Sequence, residues 1–261
     1  MVWRWIASLL LLACSMAAWA DVVEELVQLP SAGDARLPVL LSRDDVRPPT
    51  AVAVLFNGGG GAVGLLQRIP RPGANFLVRT RGLFASRGVA TAVIDVPTDL
   101  NTMPDAYRMG RRHADDVRTL VGVLKQRYPG LPVYLVGTSR GTVSAAYAGA
   151  ALGDAVTGVV LSSTVFNATR GGAGVSSFDW DTIRTRLLFV HHEDDACIAT
   201  PYAMARRVAA SRVLVSVHGG DAPRSEPCEA FSAHGFLGVE GPVVDAIVAW
   251  MRGEVPPKDV P

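Results

Sequence analysis

The sequence predicts an α/β protein, with a mostly parallel central sheet and helices on both faces. Three observations point there. Short runs rich in Val, Ile, Leu and Phe recur along the 261 residues, and they are continuously apolar rather than alternating. Strands covered on both faces have that pattern. The segments between them are helical or loop-like, and strand–helix alternation builds parallel sheets through crossover connections. Finally, the residues able to carry chemistry fall just after the strands, where open sheets of this kind bind ligands.

Each element has its own signal. Ala51–Phe56 (AVAVLF), Val89–Val96, Val133–Gly137, Thr157–Ser162, Leu187–His191 and Val213–Val217 read as fully buried strands. Tyr107–Tyr128 reads as one helix, its apolar stripe formed by Val117, Leu120, Val121 and Leu124. Alanine-rich Gly141–Ala151 is a second helix. Pro201–Ala210 and Pro242–Met251 are two more, each opening on a proline whose missing N–H has no partner to lose in a first turn. The stretch before Thr50 adds one or two antiparallel strands, and the Pro-containing tail Glu254–Pro261 reads as a frayed end.

Composition narrows the function classes. The charge is nearly balanced, 25 basic against 24 acidic residues, so there is no electrostatic footprint for nucleic acid. Hydrophobic residues make up 49% and charged ones 19%, which excludes a disordered chain and supplies a large core. The 26 glycines follow no Gly-X-Y period, and no repeat of solenoid or propeller length occurs.

Residues 1–20 read as a signal peptide. Met1–Trp5 carries Arg4, Ile6–Ala13 is apolar, and Ala18-Trp19-Ala20 puts small residues where a signal peptidase reads. Cleavage after Ala20 leaves one α/β domain over residues 21–261, exported to the periplasm or beyond and not stably inserted in a membrane. The apolar stretch falls short of the roughly 20 residues a span requires. The competing readings are an uncleaved anchor and a lipoprotein, since Leu11-Leu12-Ala13-Cys14 resembles a lipobox. Cleavage removes Arg4 and Cys14, which equalises the charges and leaves two cysteines, Cys197 and Cys228. An even pair in an exported chain reads as a disulfide.

The strand Val133–Gly137 runs into Gly137-Thr138-Ser139-Arg140-Gly141 and then into a helix. This is G-x-S-x-G in strand–turn–helix context, where a tight turn lifts a serine hydroxyl toward substrate and tolerates no bulk two residues either side. Ser139 also lies near a helix N-terminus, which favours developing negative charge.

With that motif the chain resembles the α/β-hydrolase family, particularly its small dienelactone-hydrolase-like members. The resemblance implies the chain order serine, acid, histidine, with the last two on loops after the final strands. In His191-His192-Glu193-Asp194-Asp195 it places the acid on Asp195, with Asp194 as the alternative. In Ser232-Ala233-His234-Gly235-Phe236 it places the general base on His234, within the family's frequent H-G-F. The loop Asn57-Gly58-Gly59-Gly60-Gly61 stands where relatives carry an H-G-G-G-like sequence, with Asn57 in the usual histidine position. That assigns one oxyanion-hole N–H to Gly59, with Gly60 next, and the second to Arg140.

Rival readings of these residues are weaker. A phosphate-cradling loop lacks its Lys-Ser/Thr pair, and a dinucleotide fold lacks convincing glycine spacing and a downstream acid. A metal site in the His-His-Glu-Asp-Asp run is opposed by the alternation of an extended chain, which points His191 and His192 to opposite sides. No metal and no cofactor is therefore expected. The Arg140 side chain either attracts an anionic substrate group or pairs with an acid such as Asp99 or Asp115. Ser163–Arg186, about two dozen residues, is too short for a cap domain, and Gly171–Gly174 within it reads as a flap. The expected protein is a serine hydrolase acting on a small-molecule or acyl-ester substrate, most simply a carboxylic ester hydrolase. A peptidase, an acyltransferase and an inactive binding protein of the same fold are the alternatives.

Overall fold

The computed structural model describes residues 22–67 and 75–261; the expected signal peptide lies outside the described residues. Two strands precede the six predicted ones and one follows. They are β1 (Val22–Pro30), β2 (Arg36–Asp44), β3 (Ala51–Phe56), β4 (Val89–Ile94), β5 (Val133–Thr138), β6 (Gly158–Ser162), β7 (Arg186–His192), β8 (Val213–Val217) and β9 (Asp259–Val260). They form one sheet in the order β1-β2-β4-β3-β5-β6-β7-β8-β9. β1 and β2 pair antiparallel, as does β2 with β4, while every other neighbour is parallel. The helices are α1 (Phe76–Ser86), α2 (Asp105–Arg108), α3 (Arg111–Arg127), α4 (Gly141–Leu152), α5 (Tyr202–Val208) and α6 (Glu240–Met251).

All six residues of β3 are buried, and their alternation divides the core in two. Val52, Val54 and Phe56 join Val117, Leu120, Val121 and Leu124 of α3 and Val143, Ala145 and Ala146 of α4. Ala53 and Leu55 join Phe76, Leu77 and Phe84 of α1 and Val243, Val244 and Ile247 of α6. At about 1.5–3 kcal/mol per buried aliphatic side chain, the α3 stripe outweighs helix propensities of a few tenths of a kcal/mol per residue. Packing decides that helix.

Three expectations need correction. The helix predicted over Tyr107–Tyr128 is broken at Gly110, whose backbone is extended. A Cβ there would lie 2.9 Å from the Ala106 carbonyl oxygen, so only glycine makes this exit from α2. Helix α1 was not predicted, because its buried positions (Phe76, Leu77, Val78, Thr80, Phe84 and Ala85) follow no clean stripe and are interrupted by Arg79 and Arg81. The tail is not frayed at its end. Asp259–Val260 pairs with β8, and His218 donates its backbone N–H to Val260 at 2.9 Å. A two-residue strand has no periodicity to read, yet it covers an edge that would otherwise expose unpaired backbone groups.

The strand order reverses about β3, with β4 on one side and β5 on the other. The crevice at the carboxyl ends of β3 and β5 is therefore the switch point where such sheets bind ligands. Residues 163–185, between β6 and β7, hold one short turn of 3-10 helix (Trp180–Thr182) and an isolated bridge between Thr169 and Gly172.

Two histidines are sealed in this framework. His113 of α3 packs against Phe56 (5.7 Å between centroids) and Tyr107 (5.0 Å), and neither ring nitrogen has a partner among the described residues. His191 stacks on Phe166 at 5.5 Å, and its Nε2 accepts the Thr164 N–H at 3.0 Å. Burial pulls both down to a pKa of about 3; Arg108 adds to this at His113, while Asp195 opposes it at His191. In the unfolded chain both titrate near 6.5, so between about pH 6.5 and 3 the unfolded state binds more protons. Their stability contribution is whole above pH 6.5 and is lost as the pH falls, with a slope approaching about 2.7 kcal/mol per pH unit for the pair. Denaturant titrations at pH 7, 6 and 5 should show this fall, and His113→Leu should remove about half of it while leaving stability at pH 7 no lower.

Candidate active site

Ser139 sits at the turn between β5 and α4 with φ +51°, a left-handed conformation that non-glycine residues rarely adopt. The turn is held by close backbone approach. A Cβ on Gly137 would lie 2.4 Å from the Gly141 carbonyl oxygen, and one on Gly141 would lie 2.0 Å from that of Phe56. Both positions therefore require glycine. Ser139 donates its backbone N–H to Ser162 at 3.0 Å, and its carbonyl accepts from the Thr142 N–H at 2.9 Å and hydroxyl at 2.6 Å. The backbone is over-determined, which is what sustains a strained residue.

His234 lies on a short 3-10 turn capped by Ser232, whose hydroxyl oxygen accepts the His234 N–H at 3.2 Å. The turn ends on Phe236 at φ +57°, fully buried and packed on Phe76 at 4.9 Å. The ring is thus positioned from the core. His234 Nδ1 lies 2.9 Å from Asp195 Oδ2. Asp195 is buried and further bound: Oδ1 accepts the Cys197 N–H at 3.0 Å, and Oδ2 accepts the Thr200 hydroxyl at 2.7 Å. His234 Nε2 is buried with no partner among the described residues. Ser139 and His234 line the same cavity of about 340 Å3, with Asn57, Gly58–Gly61, Asn75, Cys228 and Glu229 among its walls.

The carboxylates of the acid loop separate cleanly. Asp194 is exposed and donates its backbone N–H to His192 Nδ1 at 3.1 Å. His192 Nε2 lies 3.1 Å from the Gly219 carbonyl, whereas His191 faces Thr164 and Phe166. The two adjacent rings serve different neighbours, as the alternation of an extended chain requires.

Gly59 lies on the cavity wall with φ +55°, and Arg140 precedes α4, where backbone N–H groups have no intrahelical acceptor. The wall is held from behind by Arg108, which is 1% exposed. Its guanidinium donates to the carbonyls of Met103 (2.9 Å), Gly59 (3.2 Å) and Asn57 (3.4 Å) and to the Ser144 hydroxyl (2.8 Å). Nothing local in the sequence marks Arg108 or Thr200; both act across distant segments.

The Arg140 side chain does pair with an acid, but not with Asp99 or Asp115. Asp99 is bound by Arg112 and Asp115 by Arg118. Arg140 Nη1 lies 2.7 Å from Asp105 Oδ1 and also donates to the Gly171 carbonyl. Asp105 Oδ2 in turn accepts the Gly174 N–H at 2.9 Å. The stretch Gly171–Gly174, expected as a flap, is tied at both ends to this ion pair.

Cys197 and Cys228 form a disulfide with Cα atoms 4.7 Å apart. It joins the Asp195 loop to the wall that carries Glu229 and leads to His234. Closing 31 residues of chain is worth about 3–4 kcal/mol in a chain-entropy account. The Cys197→Ser/Cys228→Ser double variant should lose about that much in denaturant unfolding. It should also lose turnover at temperatures where it remains folded, because Cys197 N–H helps hold Asp195.

Comparisons with known proteins agree with this architecture. A family model described as serine aminopeptidase, S33, matches residues 107–195, the stretch holding Ser139 and ending on Asp195. A dienelactone hydrolase from Anabaena variabilis is similar at 16% identity and TM-score 0.62, over 90% of this chain and 99% of that one. Est1E from Butyrivibrio proteoclasticus is similar at 15% identity and TM-score 0.59, over 87% and 98%. An α/β serine hydrolase homologue from Coxiella burnetii is similar at 14% identity and TM-score 0.55, over 88% and 96%. No relative among curated proteins matches the sequence. The fold is that of the α/β-hydrolases, dienelactone-hydrolase-like in its architecture.

Proposed function

We propose that the protein is an exported serine hydrolase, specifically a carboxylic ester hydrolase that works through an acyl-enzyme. The observation that carries this reading is the state of the His234 ring. Its Nδ1 is engaged by Asp195, its Nε2 is buried and unpartnered among the described residues, and the residue lines the cavity that Ser139 also lines. An imidazole so held is poised to take a proton from a serine hydroxyl.

In the proposed cycle Ser139 Oγ attacks the ester carbonyl as His234 Nε2 takes its proton. Asp195 holds the ring in that tautomer and stabilises the imidazolium. The N–H groups of Gly59 and Arg140 hold the oxyanion, each worth about 3–4 kcal/mol. The tetrahedral adduct collapses, the alkoxide leaves with the proton from His234, and water activated by the same ring hydrolyses the acyl-enzyme. Every step uses protein groups and water, so no cofactor or metal enters. A solved cold-adapted esterase from an Arctic intertidal metagenomic library, similar in fold, supports the ester reading. The disulfide supports an oxidising compartment and hence export. The described cavity walls offer no large apolar side chain, so short acyl groups fit best.

A fluorophosphonate probe tests this directly. The mature protein should be labelled on Ser139, and p-nitrophenyl esters should be turned over with kcat/KM falling as the acyl chain lengthens. An unlabelled, inactive protein would refute the hydrolase reading and leave a binding module of the same fold. The serine aminopeptidase match favours amide substrates as the second reading; matched ester and amide substrates decide between the two.

A further inference from the structure

We propose that the side-chain amide of Asn75 is a catalytic hydrogen-bond donor to the oxyanion, additional to the backbone N–H groups; this rests on the serine-hydrolase reading above. Asn75 stands at the entry to α1, where its Oδ1 accepts the Leu77 N–H at 3.3 Å. That bond gives the oxygen end of the amide to the helix cap and so settles which way the amide faces. The nitrogen end is left over. Asn75 lines the cavity with Ser139 and His234, and its Nδ2 donates to none of the described residues.

Gly58 shows how near that nitrogen comes to the nucleophile. A Cβ built on Gly58 would lie 3.0 Å from Asn75 Nδ2 and 3.0 Å from Ser139 Cβ. The amide nitrogen and the serine Cβ thus flank a single point, separated by no more than twice that distance. An oxyanion needs donors about 2.7–3.1 Å away, and an amide nitrogen this close to Ser139 Cβ is within reach of the oxygen of an adduct on Ser139 Oγ. The absence of a side chain at position 58 is what keeps the gap open. A carboxamide suits the task, because it donates without exchanging a proton and so does not compete with His234 for the serine hydrogen.

Asn75→Asp and Asn75→Ser test the proposal, since both residues can still cap α1 but neither presents the amide nitrogen. Melting temperatures should stay within about 3 °C of the parent. For short p-nitrophenyl esters, kcat should fall about a hundredfold or more in both variants, with KM changed little. The rate of fluorophosphonate labelling should fall in parallel, because the phosphonyl oxygen occupies the same place. An active, labelled parent whose two variants keep kcat within threefold overturns this proposal alone. So does a fall in kcat matched by an equal loss of melting temperature in both, which would assign Asn75 to the helix cap. A parent that does not label on Ser139 overturns the hydrolase reading and this proposal with it.

Discussion

Ser139→Gly should melt no lower than Ser139→Ala, and both should lose ester turnover by about 10^4-fold or more. The loss follows from removing the proposed attacking oxygen, which at that rate ratio is worth over about 5 kcal/mol in the transition state. The stability difference follows from the backbone. At φ +51° a residue with a Cβ carries about 1–2 kcal/mol of strain that glycine does not. Glycine gives back about 0.5–1 kcal/mol through the entropy of its unfolded chain, so the net effect is small and of predictable sign. Calorimetric melting of the two variants beside the parent, with kcat on a short-chain ester, separates the effects. Turnover within a hundredfold of the parent in both variants would place the nucleophile elsewhere. A glycine variant melting clearly below the alanine one would remove the account of strain.

The elbow was legible because its requirements are local. A continuous apolar run, two glycines flanking a serine and an alanine-rich helix occupy one stretch of chain. The buried strands were legible for the same reason, since burial on both faces leaves runs such as Ala51–Phe56 with no polar residue. The proposed acid was only half legible. Asp194 and Asp195 are adjacent and chemically alike, and what separates them is the turn that follows β7, which leaves Asp194 exposed and brings Asp195 to His234. The partner of Arg140 was not legible at all. Asp99, Asp105 and Asp115 are equivalent in a sequence, and only the approach of α2 to the elbow selects Asp105. Thr200, which donates to the same Asp195 oxygen as His234, belongs with these. Residues that support a site from another segment carry no mark of their own.

Arg108 is the strongest instance, and removing it should disable the site from outside the cavity's reacting groups. The guanidinium is fully enclosed, and burial lowers its pKa to about 10 against the opposing attraction of Asp105. It therefore stays charged at neutral pH. Its folded pKa lies below the unfolded one, so this electrostatic cost is constant below about pH 9 and is relieved only as the pH rises through 10. What offsets the cost is a set of acceptors: the carbonyls of Met103, Asn57 and Gly59 and the Ser144 hydroxyl. Arg108→Met would remove the charge but leave those acceptors buried, at about 1–3 kcal/mol for each that finds no donor. A net loss of about 3–5 kcal/mol in denaturant unfolding is expected, comparable to breaking other buried charged contacts. The kinetic effect should be larger than stability alone explains. Peptide units are planar, so a carbonyl held on Arg108 fixes the opposite direction of the N–H that follows it. Those are the N–H groups of Gly58 and Gly60, which flank the proposed donor Gly59. Releasing the Asn57 and Gly59 carbonyls frees both neighbouring peptide units and lets the loop carry the Gly59 N–H out of place, and one misplaced donor costs about 10^2- to 10^3-fold in kcat. Arg108→Lys separates charge from geometry. An ammonium keeps the positive charge but cannot span four acceptors in the guanidinium's planar fork. It should recover part of the stability and little of kcat, measured under conditions where both variants remain folded. A lysine variant with the parent's kcat would mean that charge alone holds the loop.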